Sequence, residues 1–408
     1  MRADAIAVTG IGLVTPAGLT VQDNWSALCQ GRSLATRDPR LSGLPSDFSC
    51  QVPAFDAAAL FGRSRARRLD RFGHFALIAA RAAVMDSQLD SRTWNGERVG
   101  VVLGTASNSM QNYNGEFSQL LDGHPSRVSP LALPRSLPDT ASGEVALDLG
   151  AKGPSFATAA ACASGAVALS TARDLLRAGA CDIVLAGGSE SPLAPMTVAC
   201  FAQMGAISRR RDQPHQACRP FDADRDGLVL GEGAAVLVLE RHITAKARCA
   251  PIKALLRGCG TTTDAHHPVA PHPTGDGAAR ALRIALQDSG CSPRDIGHIN
   301  AHGTSTRHND AAEAAAFTDI FGPHLPPVTA PKSIIGHAIG AAGAIEAAYT
   351  VLALQHQQVP PTANFEVQDG PHKLDIVTGT PRPVAMNTAI TCSFGFGGRN
   401  SVLLLTTP

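Results

Sequence analysis

The sequence predicts an α/β fold in which short buried strands, mostly parallel and central, alternate with Ala-rich helices. Two observations carry this expectation. Val99-Gly-Val-Val-Leu-Gly104, the run from Cys181 to Gly188 and the run from Gly233 to Glu240 are continuous apolar stretches of strand length, bounded by Gly or charge. Strands covered on both faces read this way. Between them, Arg71 to Leu89 and Gly165 to Gly179 have helical composition, the second closing on a Gly at the C-terminal capping position.

The rest of the chain keeps the rhythm. Ile299 to Ala301 reads as a strand end, Asp310 to Phe321 as a helix, and Val328 to Ala330 as another strand end. A long helix is expected from about His337 to Gln355, and Ile390 to Leu405 reads as paired strands around a Gly turn. Pro125 to Pro138 is Pro-rich but carries apolar residues, so it reads as an ordered excursion. No short-period repeat is visible, which argues against a solenoid. The expected break lies near Arg248-Cys-Ala-Pro251, giving residues 1–250 and 251–408 as two halves of similar α/β content.

Composition narrows the function. Lys and Arg total 35 against 34 Asp and Glu, so no overall charge points to nucleic acid or an anionic membrane. Apolar residues make 44%, yet no uninterrupted run is long enough to span a bilayer. The N-terminal residues from Met1 to Val8 enter a strand-like pattern at once, which leaves no room for a signal peptide and points to the cytoplasm. Ten cysteines are scattered without a C-x-x-C pair, so disulfides and zinc explain them poorly. Most read as small buried hydrophobes, with room for one to be chemical.

Three constellations carry chemistry. In the first, a strand-like segment from Gly153 runs into Cys162, and a small-residue helix starts directly after it. The turn aims a thiol from a helix N-terminus, where the dipole and free N–H groups are expected to favour thiolate and to hold a developing oxyanion. Its neighbours are Ala, Ala, Ser and Gly, which leave access open. In the second, His302 stands where a strand ends and the chain turns through Gly303, followed by Thr304-Ser-Thr306 and then Asp310 and Glu313. Strand ends in α/β sheets commonly present functional side chains. Asp310 and Glu313 also fit a capping box for the next helix.

The third runs from Ala330 to Ala344 and holds Lys332 and His337 before a helix of bare Gly and Ala. Isolated buried charge is costly, so Lys332 is expected to have a carboxylate partner, with Glu313 the natural candidate. A Gly-rich turn at Ser393-Phe394-Gly-Phe396-Gly-Gly-Arg-Asn400 completes the set. Metal chemistry is a weak rival: His266, His267 and His272 cluster, but Pro268 and Pro273 interrupt them and no H-E-x-x-H helix exists. No phosphate-binding loop and no G-x-G-x-x-G after a first strand is present, so nucleotide use has no support.

With these motifs in order, the sequence resembles the β-ketoacyl-acyl-carrier-protein synthases, of the type II elongating kind found in fatty acid and polyketide synthesis. The resemblance runs from Val8-Thr-Gly-Ile-Gly-Leu-Val-Thr-Pro-Ala-Gly18, through Arg219-Pro-Phe-Asp222 and Asp224-Arg-Asp-Gly-Leu-Val-Leu-Gly-Glu-Gly233, to the turn at Phe396. It implies a thiolase-like fold, two similar halves in a five-layered α-β-α-β-α arrangement, acting as a dimer. It implies Cys162 as the nucleophile that takes an acyl chain from a carrier-protein thioester. His302 and His337 would promote decarboxylation of a malonyl extender, with Lys332 organising the site and Glu313 its partner. The backbone N–H groups of Cys162 and Phe396 would form the oxyanion hole, with Phe396 also the gate, and Thr304 and Thr306 would touch the phosphopantetheine arm. No metal or redox cofactor is implied.

The acyl carrier protein is usually acidic, so a local basic patch is expected: Arg63, Arg65, Arg67 and Arg68 align with it, and Arg209-Arg210-Arg211 adds to it. The resemblance also points to Ser107, Phe201 and Phe394 at the acyl pocket. Ser107 stands where a bulky aliphatic is common, Leu137-Pro-Asp-Thr140 replaces an Asn-containing stretch, Val269 replaces a hydroxyl residue, and Arg399 follows the Gly turn. These departures lean toward specialised polyketide or polyene synthesis, with housekeeping fatty acid elongation as the alternative. A non-catalytic chain-length subunit typically lacks the nucleophile, which this chain retains. A thiolase or coenzyme A acyltransferase is disfavoured by the two-histidine pattern.

Overall fold

A computed structural model of the chain describes residues 5–107 and 110–408, with the side chains of 110–112 left aside; Met1 to Asp4, part of the N-terminal expectation, lie outside it. The main sheet has ten strands: β1 (Ile6–Val14), β2 (Val99–Gly104), β3 (Ser155–Thr158), β4 (Ile183–Glu190), β5 (Gly233–Arg241), β6 (Ala254–Thr263), β7 (His298–Asn300), β8 (Val328–Thr329), β9 (Thr388–Gly395) and β10 (Arg399–Thr406). Their spatial order is β8-β7-β9-β10-β6-β1-β5-β4-β2-β3. From its middle the sheet reads the same way outward in both directions. β1 and β6 begin the halves, β5 and β10 pair antiparallel to them, and the next three strands on each side run parallel. β1 and β6 join the halves through three antiparallel residue pairs, Ile6 with Leu256 to Val8 with Ala254.

The helices that cover the sheet are α1 (Arg71–Asp86), α2 (Thr140–Leu149), α3 (Ser164–Arg177), α4 (Asp276–Ser289), α5 (Arg307–Phe321) and α6 (Ala342–His356). α1 and α2 pack on one half, α4 and α5 on the other, and α3 and α6 lie between the halves, touching strands of both. The result is five layers, α-β-α-β-α. Close approach is built into the first strand of each half. A Cβ on Gly10 or Gly12 would sit 2.1 or 1.9 Å from a carbonyl oxygen of α1, and on Gly258 or Gly260 2.3 or 2.0 Å from one of α4. Only glycine lets those helices rest directly on the strand backbone.

Because α6 is enclosed by both halves, it is buried on every face from Ala342 to Leu354. A helix apolar all round belongs in such a central layer. Two expectations change here. The strands are mixed in direction, since β1 and β5 pair across more than two hundred residues of sequence, a relation that local periodicity does not encode. The long helix does not begin at His337. A short helix, Lys332–Ile335, ends at Gly336, and His337 lies extended, its N–H donating to the Val229 carbonyl at 2.7 Å, before α6 starts at Ala342. Among the described residues no helix is long and apolar enough to cross a membrane.

Candidate active site

The turn that carries Cys162 is built between β3 and α3. Ala161 takes a left-handed backbone (φ 49°), a conformation in which a small side chain is least penalised, and so turns Cys162 inward just before the helix. The Ser164 hydroxyl braces the turn, accepting from the Ala160 N–H at 2.8 Å and donating to the Ala161 carbonyl at 2.6 Å. Gly395, at the end of β9, packs against it; a Cβ there would lie 2.9 Å from both Ala160 O and Cys162 N. That contact brings the Phe396 N–H to the cysteine, so the sulfur accepts from the N–H groups of Phe396 and of Cys162 itself.

Electrostatics at the thiol differ from the sequence expectation. Burial pushes Cys162 up to about 11; the Lys332 charge and the two N–H groups pull the other way without winning. The helix terminus expected to favour thiolate is present, but the thiol is 4% exposed and desolvation dominates. The resting Cys162 side chain is therefore a neutral thiol.

His302 and His337 face it. Both are 1% exposed, their rings cross nearly at right angles with centroids 5.4 Å apart, and one donor atom from each lies with Sγ of Cys162 inside a span of 4.8 Å. Burial, reinforced by the Lys332 charge, holds both imidazoles well below the ordinary histidine value, so both are neutral at pH 7. Lys332 Nζ lies 3.2 Å from His302 Nδ1 and also donates to the His302 carbonyl and to Glu346 Oε1. An ammonium has three protons and no acceptor, so these contacts use all of them and make Nδ1 an acceptor. His302 therefore carries its proton on Nε2. Among the described residues, neither ring nitrogen of His337 has a hydrogen-bond partner.

Glu313 is not the partner of Lys332. Its two oxygens accept the backbone N–H groups of His302 and Gly303 at 2.7 and 2.8 Å, and the ion pair is made by Glu346 on α6. Both carboxyls are raised by burial, Glu313 to about 8 and Glu346 to about 7. The capping-box reading also gives way. α5 begins at Arg307 without a side-chain cap, and Asp310 instead accepts from the N–H groups of Thr304 and Phe221. Both acids of α5 thus hold the His302 turn in place.

A cavity of about 670 Å³ opens from these groups to the surface. Phe201, Phe394 and Phe396 line it near the cysteine, and Thr304, Thr306 and Val269 nearer the mouth. The rings of Phe201 and Phe396 lie 5.7 Å apart, and the Thr304 and Thr306 hydroxyls 2.9 Å apart. Ser107 does not line it. Its N–H and hydroxyl bind Glu190, which also accepts from Thr105, Ala106 and Gly340. The sequence reading missed Glu190 and Glu346. Glu346 is a lone acid among the buried, mostly apolar residues of α6, a signal that was available, whereas Glu190 closes β4 between Ser189 and Ser191.

The arginines do not form one free patch. Arg65 is taken up by Glu144 and Asp148, and Arg68 reaches Glu144 at 3.3 Å. Arg210 is half-buried and donates to the Asp224 carbonyl at 2.6 Å, whereas Arg63, Arg67 and Arg209 are exposed. His267 uses Nδ1 to accept the N–H groups of Val269 and Ala270, so it is spent on its own loop.

A five-layered fold with a buried thiol, two neutral imidazoles and two backbone N–H groups around one cavity defines a thiolase-like condensing enzyme. Residues 3–245 match the beta-ketoacyl synthase N-terminal domain and residues 253–366 its C-terminal domain. The chain belongs to the β-ketoacyl synthase family. The 3-oxoacyl-(acyl-carrier-protein) synthase 2 of Synechocystis sp. is 42% identical over 404 residues, 98% of this chain and 97% of that protein. The ishigamide ketosynthase/chain length factor superposes with a TM-score of 0.93 at 33% identity, covering 99% of both chains. A type II polyketide ketosynthase, solved bound to a hexaketide and in complex with its acyl-carrier protein, gives 0.90 at 31% identity, again over 99% of both.

Proposed function

We propose that this chain extends acyl chains by decarboxylative condensation, with Cys162 as nucleophile and an acyl carrier protein delivering both substrates. The observation that carries the reading is the convergence of the Cys162 thiol, two backbone N–H groups and two neutral imidazoles on one cavity. In the first step the sulfur attacks the thioester carbonyl of the donor. The N–H groups of Cys162 and Phe396 stabilise the oxyanion, and the thiol proton ends on the departing pantetheine sulfur. In the second, His302 Nε2–H and an N–H of His337 donate to the thioester oxygen of the malonyl unit as its carboxylate leaves as carbon dioxide. The enolate carbon then attacks the acyl carbonyl on Cys162, and the cysteine leaves as a thiolate that takes a proton from solvent to return to the thiol.

Lys332, paired with Glu346, fixes the His302 tautomer; Thr304 and Thr306 are placed to meet the amides of the arm, and Phe396 to open and close beside the sulfur. Phe201 and Phe394 give the acyl chain its apolar walls. The reaction so written uses no resident metal or redox cofactor. Arg67 and Arg209 are exposed and would meet an acidic carrier, and β3, a partly exposed strand at the edge of the sheet, together with exposed Phe117, Leu121 and Leu133, supports a dimer. That dimer is either a homodimer or a heterodimer with a chain-length-factor-like ketosynthase. The relatives span fatty acid and polyketide enzymes, so both pathways stand. Ten free cysteines support a cytoplasmic setting. The test is to supply acyl and malonyl carrier protein and measure the 3-oxoacyl product and carbon dioxide together; neither in wild-type protein would overturn the reading.

A further inference from the structure

We propose that Cys162, His302 and His337 form a reversible binding site for a soft divalent cation, Zn2+ being the type case, and that the ion inhibits the enzyme by occupying the nucleophile. Each side chain offers one donor atom, and all three lie within 4.8 Å of one another. One thiolate and two imidazoles are a preferred zinc ligand set, and three protein ligands with a fourth position open are the pattern of accessible zinc sites. Here all three residues line the cavity, which gives an ion a route in from solution. A second observation points the same way. His337 is 1% exposed, yet among the described residues both its ring nitrogens lack a hydrogen-bond partner, and a buried polar group without one is costly.

The exchange balances. The Cys162 S–H bond breaks as the sulfur–metal bond forms, and that proton goes to solvent. His302 becomes a ligand by changing tautomer, its Nε2 proton going to solvent and one from solvent taking Nδ1, so the Lys332 ammonium 3.2 Å away loses that acceptor. The site then holds a dication, a thiolate, the Lys332 ammonium and the Glu346 carboxylate, which leaves one net positive charge. Lys332 works against the ion, so the site exchanges metal with solution and is not a permanent centre. Acylation of Cys162 removes the thiolate and with it the site, which makes the acyl donor and the ion mutually exclusive.

The inference stands on the ligand geometry, so its failure would leave the condensing reading intact. The test uses the full-length protein with Co2+ and Zn2+ as probes. One equivalent of Co2+ should give a near-ultraviolet sulfur-to-metal charge-transfer band and four-coordinate visible bands. Zn2+ should bleach both. Zn2+ at nine times its Kd should slow iodoacetamide labelling of Cys162, followed by peptide mass spectrometry, about tenfold. Cys162→Ser and His337→Phe should lose the cobalt band, as should wild-type protein alkylated beforehand at Cys162, a control that needs no variant to fold. Absence of the band, or a band and protection that survive prior alkylation, would overturn the proposal.

Discussion

Glu346→Gln tests the arrangement behind the histidines. Lys332 and Glu346 are each 1% exposed and bonded to one another, so removing the carboxylate charge strands a buried ammonium. Breaking one partner of such a pair costs about 3–5 kcal/mol. Unfolding entropy of about 2.1 cal/mol/K per residue gives this 408-residue chain about 0.9 kcal/mol/K, so the melting temperature should fall by about 4–6 °C. The functional effect follows from the shared ammonium. Without Glu346 to hold it, Lys332 Nζ is no longer fixed against His302 Nδ1, and the donation that sets His302 as the Nε2–H tautomer is weakened. Condensation should then slow by about 10²-fold, the lower range for loss of a positioned proton donor, while acyl loading on Cys162 changes little. The assays are carbon dioxide release for condensation and intact mass for loading, with Glu313→Gln as the comparison. Glu313→Gln replaces one of the two accepting oxygens by an NH2 donor that faces a backbone N–H, and should cost about 1–3 kcal/mol without separating the two half-reactions. Glu346→Gln with wild-type condensation, or with both half-reactions reduced equally, would refute the reasoning.

The burial-raised thiol predicts that iodoacetamide labelling of Cys162 in metal-free buffer rises about tenfold per pH unit from pH 7 to 9, because only the thiolate reacts. A plateau below pH 8 would mean that the helix terminus outweighs burial. His302→Ala and His337→Ala should each slow condensation by about 10²–10⁴-fold and leave loading within a few-fold, read by the same pair of assays. Both imidazoles are held below their ordinary value, so they stay neutral on acidification past the usual histidine range; carbon dioxide release in wild type should show no acid limb centred near pH 6.5. Gly395→Ala must push apart two backbone atoms 2.9 Å from its new methyl. It should cost about 1–3 kcal/mol in a thermal melt and slow loading more than a surface Gly→Ala change such as Gly115→Ala, where nothing lies within 4 Å.

How far the sequence carried the account depended on how local each signal was. Cys162, His302, Lys332 and His337 could be singled out because each sits at a change from strand to turn or helix, where packing alone explains a reactive side chain poorly. The residues that support them were not legible in the same way. Glu313 lies close to His302 in the chain and was assigned to Lys332, but its oxygens are consumed by two N–H groups of the neighbouring turn. Glu346 reaches Lys332 only because α6 is threaded between the two halves, a tertiary fact. Ser107 looked like a pocket floor from its position, whereas its hydroxyl is tied to Glu190 from a strand more than eighty residues on. The thiol shows the same division. Its helix terminus is a local feature, but the burial that outweighs it comes from both halves closing over the turn.

The central claim is that acyl chains pass through the sulfur of Cys162. Wild-type protein given acyl carrier protein loaded with an acyl chain should gain, by intact mass, a single acyl group that peptide mapping places on Cys162 and hydroxylamine removes. Addition of malonyl carrier protein should then discharge it as a 3-oxoacyl product, with one carbon dioxide for each. Cys162→Ala should show neither adduct nor product. A hydroxylamine-labile acyl adduct on Cys162→Ala, or 3-oxoacyl product formed by it, would contradict the account.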